Sequence, residues 1–417
     1  MLSHGCKDDH IVSKGYTLSL LTAVFAINQL DRQILGITLE AIGQEFDLSD
    51  TKLGILSGLA FAVVFGAFGL PIARLAARGN RRNIISLSLI AWSGLTAATA
   101  GAQNFTHLAL ARIGVGIGEA GGVAPAHSMI TDLYPPEKRT SAMATFVSGG
   151  NIGILLAFLI GGIVGQEFGW RWAFVVAGVP GILLAFLLRF TVREPERDIS
   201  VKAGEQNRSL FIATSRAIFD DPGLRCALFA ISLTGVVTFG ALAWTPTFAI
   251  RALGLSQAQA GIFLALSVGI GGGLGTWFSG RVADRLGTSD PRWRLGIAVA
   301  GLLAAKPFIL GFLLLESRPP ALGCLVVATL FAGIFWAPTF VFLHSRIPSH
   351  MRPMATAIFI FAFNLVGVGM GPTVVGLASD TIFSGFGSRS LGVSLAVIQA
   401  VGVAGAWFYW KAMRTIS

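Results

Sequence analysis

Four ionisable residues stand inside otherwise apolar stretches: Asp31 and Arg32 in "NQLDRQ", and Arg112 and Glu119 in "ARIGVGIGEAGG". Two carboxylates beside guanidinium groups, away from water, can do proton chemistry. Burial favours the neutral acid and a nearby arginine favours the anion, so a carboxylate that gains and loses an arginine releases and takes up a proton. Arg112 and Glu119 are seven residues apart, close to two helical turns. On a straight helix they share a face about 10 Å apart along the axis, too far for a direct pair. Each therefore needs a partner on another helix, and Asp31 and Glu119 compete for Arg112. The plain alternative is a structural salt bridge that only neutralises a buried arginine. The competition favours a proton-coupling site at Glu119 or Asp31, with Arg112 switching between them or to an anionic substrate.

The same stretch fits G-x-G-x-x-G through Gly116, Gly118 and Gly121. A dinucleotide loop needs a strand before it and a helix after it within a βαβ unit. Here the glycines lie inside an apolar run of about 25 residues. Gly114, Gly118 and Gly122 instead recur every four residues, which keeps one helix face small for a close neighbour.

The surroundings fix the solvent. The 417 residues are 53% hydrophobic and 12% charged, with mean hydropathy +0.71 and 52 glycines. Soluble domains carry about 25% charged residues, and apolar runs of about 20 residues, each able to cross a bilayer, recur along this chain. Twelve helical spans are expected near 16–38, 52–72, 83–101, 107–131, 140–165, 171–190, 224–249, 257–279, 295–315, 321–344, 354–377 and 391–412. The fold class is an all-α polytopic membrane protein, because backbone groups must be satisfied within each segment and nothing alternates as barrel strands do. Of 31 Lys and Arg, only Arg32, Arg112 and Lys306 lie in the body of a span. With both termini cytoplasmic, inner segments hold 23 and outer loops 5, as the positive-inside rule requires. The net charge of +10 is thus a topology signal, and no nucleic-acid partner is expected. The localisation expected for a bacterial chain is the cytoplasmic membrane. Cys6, Cys226 and Cys324 predict neither a disulfide framework nor a zinc site, and no cofactor is expected. The polar N-terminus is no signal peptide. The absence of H-E-x-x-H, G-x-S-x-G and Walker patterns argues against an enzyme.

The chain divides into 1–190, a linker 191–223, and 224–417. Shifted by 213 residues, "APAHSMITDLYPPEKRTSAMATF" overlies "APTFVFLHSRIPSHMRPMATAIF", matching Pro135 to Pro348, Arg139 to Arg352 and Asn151 to Asn364. A second echo joins "ARLAARGNRR" to "GRVADRLG". Two six-helix halves related as parallel repeats are the arrangement of major facilitator transporters, and the residues resemble that superfamily. Gly280, Asp284, Arg285 and Gly287 match its G-x-x-x-D-R-x-G loop. The first loop has Ala73 and Ala77 at the glycine and aspartate positions but keeps Arg78, Arg81 and Arg82. That resemblance implies a gate at the cytoplasmic loops through Arg78, Arg82, Asp284, Arg285, Arg139 and Arg352, with its carboxylate surviving only in the second half.

The resemblance further implies a central cavity lined by spans one, four, seven and ten, which makes Asp31 the expected partner of Arg112. Candidate substrate contacts are Arg32, Asn28, His127, Trp244, Trp336 and Asn364, although a packed histidine near a helix end is the plain reading of His127. Lys306, beside Pro307 in span nine, is assigned no role. The charged groups lie in the first half, and a largely apolar lining faces them from the second. A sugar site would need many hydrogen-bonding partners, so this asymmetry suits an amphipathic molecule with an ionic head.

"INQLDRQILGITLEAIGQEFDLSDTKLGILSGLAFAVVFG" and "ARIGVGIGEAGGVAPAHSMITDLYPPEKR" resemble the spinster branch of the superfamily, over essentially the whole chain. That resemblance implies proton-coupled transport of a lysophospholipid or sphingoid-phosphate type of substrate, with Asp31, Arg112 and Glu119 carrying the coupling. A proton symporter for sugar acids or other organic anions is the alternative. The partners expected are a small amphipathic or anionic solute, protons and membrane lipid, with the protein a monomer.

Overall fold

A computed structural model describes residues 13–195, 205–275, 281–282, 285, 290 and 292–416. Among the described residues every regular element is a helix, as the need to satisfy backbone groups in hydrocarbon requires. The first half comprises span one (Lys14–Phe46), span two (Asp50–Ser57 continuing as Leu59–Arg78), span three (Arg81–Ala98), span four (Phe105–Glu119 and Val123–Leu133), span five (Pro136–Leu159, running through Ile160–Val164 to Gly165–Glu167) and span six (Trp170–Thr191). The second half comprises span seven (Pro222–Arg251), span eight (Gln257–Leu264 and Ala265–Gly271), span nine (Trp293–Leu314), span ten (Arg318–Phe331 and Trp336–Arg346), span eleven (Arg352–Ala362, Phe363–Val368 and Gly369–Asp380) and span twelve (Ser390–Val397 and Gln399–Met413). Between the halves, a linker helix (Glu205–Asp220) lies within the stretch read from sequence as a plain connection. Ile218 and Thr214 are fully buried, and Ile218 packs with Leu224 and Ala227 of span seven.

Local chemistry sets the ends. Ser13 accepts from the Tyr16 amide to start span one, and span one stops where Asp47 turns left-handed at φ 49°. Aspartate tolerates that conformation better than most residues. Asp221 caps span seven by accepting from the Gly223 and Leu224 amides at 2.7 and 3.0 Å, ahead of Pro222, whose missing N–H costs nothing at the first helical position.

Spans four and ten are both interrupted, at 120–122 and 332–335. These positions correspond under the 213-residue shift, so the repeat extends to the shape of the helices. The same shift relates two arginine contacts. Arg139 Nε donates to the Tyr134 carbonyl at 3.0 Å and Arg352 Nε to the Ile347 carbonyl at 3.3 Å.

The glycines of span four hold its neighbours close. A side-chain carbon at Gly114 would lie 2.6 Å from Leu95, one at Gly118 would lie 2.9 Å from the Trp92 backbone nitrogen, and one at Gly116 would lie 2.9 Å from the Phe61 carbonyl. Spans two and three therefore reach the backbone of the helix that carries Arg112 and Glu119.

The halves are joined at the face opposite the termini. There Gly54 of span two packs on Pro372 of span eleven, and Thr373 Oγ1 donates to the Gly54 carbonyl at 3.1 Å. Gln257 Nε2 of span eight donates to the Gly161 carbonyl of span five at 2.7 Å, and Gly36 of span one meets Ala243 of span seven.

Candidate functional site

Span one turns through about 100° per residue, so Asp31 and Arg32 leave it in different directions. Arg32 crosses to span four, where its Nε donates to Glu119 Oε2 at 2.6 Å. Glu119 is fully buried and the Arg32 side chain is 13% exposed. The expected Arg112–Asp31 ion pair is not formed. Arg112 Nη1 donates instead to the Asp31 backbone carbonyl at 3.2 Å. The Asp31 side chain points towards the Trp92 indole and Ser93 hydroxyl of span three. Neither of its oxygens has a hydrogen-bond partner among the described residues, and the amide atoms of Asn28, one turn earlier, have none either.

Span two supplies the other contacts. The Arg32 guanidinium sits 4.8 Å from the centroids of both Phe61 and Phe65, and that of Arg112 is 5.6 Å from Phe61. Phe61 is buried between the two cations. A desolvated cation–π contact contributes about 2 kcal/mol, so the aromatic pair offsets part of the cost of holding two guanidiniums out of water. The site thus consists of one closed ion pair, one cation resting on a carbonyl and a ring, and one acid without a partner.

These groups border a gap between the halves. Arg32, Gln33, Ser57 and Arg112 of the first half face Phe239, Leu242 and Val368 of the second. The polar-against-apolar asymmetry read from sequence is present in this lining.

Other candidate contacts are dispersed. The His127 ring packs edge-on against Phe146 at 5.1 Å. Trp244 is fully buried and donates its indole N–H to the Pro372 carbonyl at 2.8 Å. That bond anchors span seven to span eleven rather than placing the ring in the gap. Trp336 packs edge-on in an aromatic cluster with Phe335, Phe340 and Phe363. Asn364 Nδ2 donates to the Ile360 carbonyl at 2.9 Å and lies beside Phe61 and Phe65.

Three of the arginines expected to gate the terminal face, Arg82, Arg139 and Arg352, hold groups on or beside their own helices. Arg82 donates to the Val192 carbonyl at 2.9 Å, and its amide donates to Glu194 at 2.8 Å. Arg139 and Arg352 hold the carbonyls named above. Arg285 is exposed and has a partner, while Asp284 and the Arg78 side chain lie outside the described residues. Arg81, given no role in the sequence reading, is the hub here. It is 1% exposed, pairs with Asp132, reaches Glu194 at 2.7 Å and donates to Ser128 at 2.8 Å. With Ala77 where the loop aspartate would stand, this arginine finds one carboxylate on span four and the other just after span six.

A second network, missed from sequence, closes the opposite face. Arg251 at the end of span seven pairs with Glu40 of span one and, at 2.8 Å, with Asp50 of span two. Asp50 Oδ2 also accepts from Ser379 at 2.7 Å. Asp380, at the end of span eleven, accepts from the Asp50 and Thr51 amides at 3.2 and 2.6 Å. A carboxylate of one half thus caps a helix of the other. The available signal was four charges lying at span ends on one face, in both halves.

The sequence pattern described as Major Facilitator Superfamily matches residues 21–372. An MFS-type efflux pump of Mycolicibacterium smegmatis is 29% identical over 95% of this chain and 91% of its own length. A probable L-galactonate transporter of Escherichia coli is 27% identical over 94% of this chain and 88% of its own. The crystal structure of a bacterial homologue of the human lysosomal transporter spinster, inward-facing and unoccupied, superposes with a TM-score of 0.87 at 27% identity, covering 96% of this chain and 97% of that one.

Proposed function

The chain belongs to the Major Facilitator Superfamily, a family of multi-pass membrane transporters rather than enzymes, and from that premise we propose that it is a proton-coupled carrier of an amphipathic anion. The observation that supports this most is the Asp31 carboxyl: fully buried, without a hydrogen-bond partner among the described residues, beside an arginine that holds only its backbone carbonyl. In this reading Asp31 carries the proton. Arg112 is the cation that substrate and Asp31 share in turn, and Arg32–Glu119 is the fixed pair that keeps spans one and four in register. When an anionic headgroup reaches Arg112, the neighbouring carboxyl is favoured in its protonated form, and substrate leaving reverses that preference.

The face opposite the termini is closed by the Arg251 and Asp380 networks, so the arrangement exchanges its solute with the face that carries the termini. By the positive-inside rule that face is cytoplasmic, and the protein works as a monomer in the inner membrane. The greasy second-half lining takes the apolar body, which favours a lysophospholipid or sphingoid phosphate. A sugar-acid or other organic-anion symporter is the second reading, favoured by the resemblance to the L-galactonate transporter. Thermal stabilisation of the purified protein by lysophospholipid or by hexuronate separates the two.

The coupling is tested in proteoliposomes with a pH-sensitive dye inside. Asp31→Asn is expected to keep counterflow and lose accumulation driven by a pH gradient. Full gradient-driven accumulation in Asp31→Asn would overturn the assignment, and loss of coupling in Glu119→Gln alone would move it to Glu119.

A further inference from the structure

Lys306 stands far from the charged cluster, on span nine. Its ammonium donates to Gln399 Oε1 of span twelve at 2.8 Å, while Gln399 Nε2 is committed to the Leu395 carbonyl at 3.1 Å. Gly402, a turn further along span twelve, lies against the ammonium, where a side-chain carbon would collide with it. The fold has thus made room for this cation, and no carboxylate pairs with it among the described residues. A lysine at this depth is costly unless something balances its charge.

It also lines a cavity of about 320 Å³ walled mostly by second-half helices and closed on one side by Asn151, Ile154 and Phe158 of span five. Protein interiors are close-packed and rarely leave such a space without an occupant, and this one falls within the range of small-molecule sites. Its walls are mainly apolar, with Phe158, Leu264, Phe312 and Ala328 among them, and they also carry Asn151, Gln399 and several threonines. Two polar groups have hydrogen-bonding capacity to spare. Thr234 is 2% exposed and its hydroxyl has no partner, and Lys306 has donors beyond the one given to Gln399. Leu242 borders both this cavity and the gap beside Arg32 and Arg112, which makes the interface between the halves the way in.

We propose that this cavity is a binding site for a monocarboxylate with an apolar body, such as a medium-chain fatty acid, whose head is neutralised by Lys306 and whose chain lies among the apolar walls. A carboxylate fits better than a phosphate, because the site offers one ammonium and no arginine fork. The site is separate from the Asp31–Arg112 cluster and does not depend on proton coupling.

The test uses the full-length protein in nanodiscs, with decanoate and 1-decanol as matched probes and thermal unfolding as the readout. Decanoate is expected to stabilise the wild type saturably, with an affinity at least roughly tenfold above that of decanol, as for a charge-assisted hydrogen bond. Lys306→Met should remove that preference while leaving decanol binding unchanged, and Lys306→Arg should keep it. Replacing a buried charge with an apolar residue of similar volume usually leaves a fold intact. Should Lys306→Met nonetheless fail to fold, Ala328→Phe, which fills the cavity, must abolish saturable binding of both probes. Equal affinity for decanoate and decanol in the wild type, undiminished decanoate binding by Lys306→Met, or undiminished binding by Ala328→Phe would overturn the site. Decanoate binding by Asp31→Asn must remain at wild-type strength, which keeps this test distinct from that of the coupling.

Discussion

Asp380→Ala is expected to loosen the closed face without touching the charged cluster. The Asp380 carboxylate holds the first amides of span two, from Asp50 and Thr51. Those donors have no intrahelical acceptor, and losing such a cap costs about 1–2 kcal/mol. Because the cap and the helix belong to different halves, that energy acts only while the face is shut. Its loss therefore shifts the closed-to-open ratio by a factor of roughly 5–30. Asp380→Asn should shift it less, since asparagine also accepts from helix amides. The assay is the rate at which a membrane-impermeant maleimide, added from the face opposite the termini, labels a cysteine at Ser57, which lines the gap below the seam. Cys6, Cys226 and Cys324 are first replaced by serine. Labelling should rise by about the same 5–30-fold in Asp380→Ala. A rate unchanged from the parent would refute the argument that this carboxylate latches the two halves.

Two further outcomes follow from other contacts. Arg81→Gln leaves Asp132 and Glu194 without their shared cation and should cost about 3 kcal/mol, read as a thermal-unfolding shift larger than that of Arg82→Gln. At the far end of span one, hydrogen bonding to Arg171 holds the Glu45 carboxyl below its usual range. Its contribution is present above the ordinary carboxylate value and fades as pH falls through the lowered one. The wild type should therefore lose stability between neutral and acid pH faster than Glu45→Gln, by less than about 1 kcal/mol because the pair is exposed.

The sequence made the frame legible because hydrocarbon leaves the chain few choices. Run length located the helices, and the 213-residue echo proved deep enough to place interruptions in both spans four and ten. It also singled out the four buried charges, but not their pairing. Residues 31 and 32 are neighbours in sequence and point about 100° apart on the helix. Which of them meets span four depends on the rotation of span one, set by packing against spans five and six. The closed-face network was hidden for a different reason. Glu40, Asp50, Arg251 and Asp380 sit at helix ends, where a charge reads as ordinary solvation, and their meaning comes only from the other half standing opposite. The terminal-face arginines were found as conspicuous residues, yet Arg82, Arg139 and Arg352 hold groups close to their own helices, and Arg81 shows why: its two carboxylates lie on span four and just after span six rather than across the gap.

The charged cluster also has a consequence for how the protein is made. Ten helices among the described residues are long and apolar enough to cross a membrane by themselves, and spans one and four are not among them. Each ionised group at mid-span adds about 2.5–3.5 kcal/mol to insertion, and Arg32 and Glu119 relieve each other only when both helices are in place. Span one is made before span four and must hold Arg32 away from Glu119 while spans two and three are threaded after it. The Arg32–Glu119 pair can therefore close only once span four is in place, and the two helices that carry the charged cluster are the ones hydrocarbon receives least readily on their own.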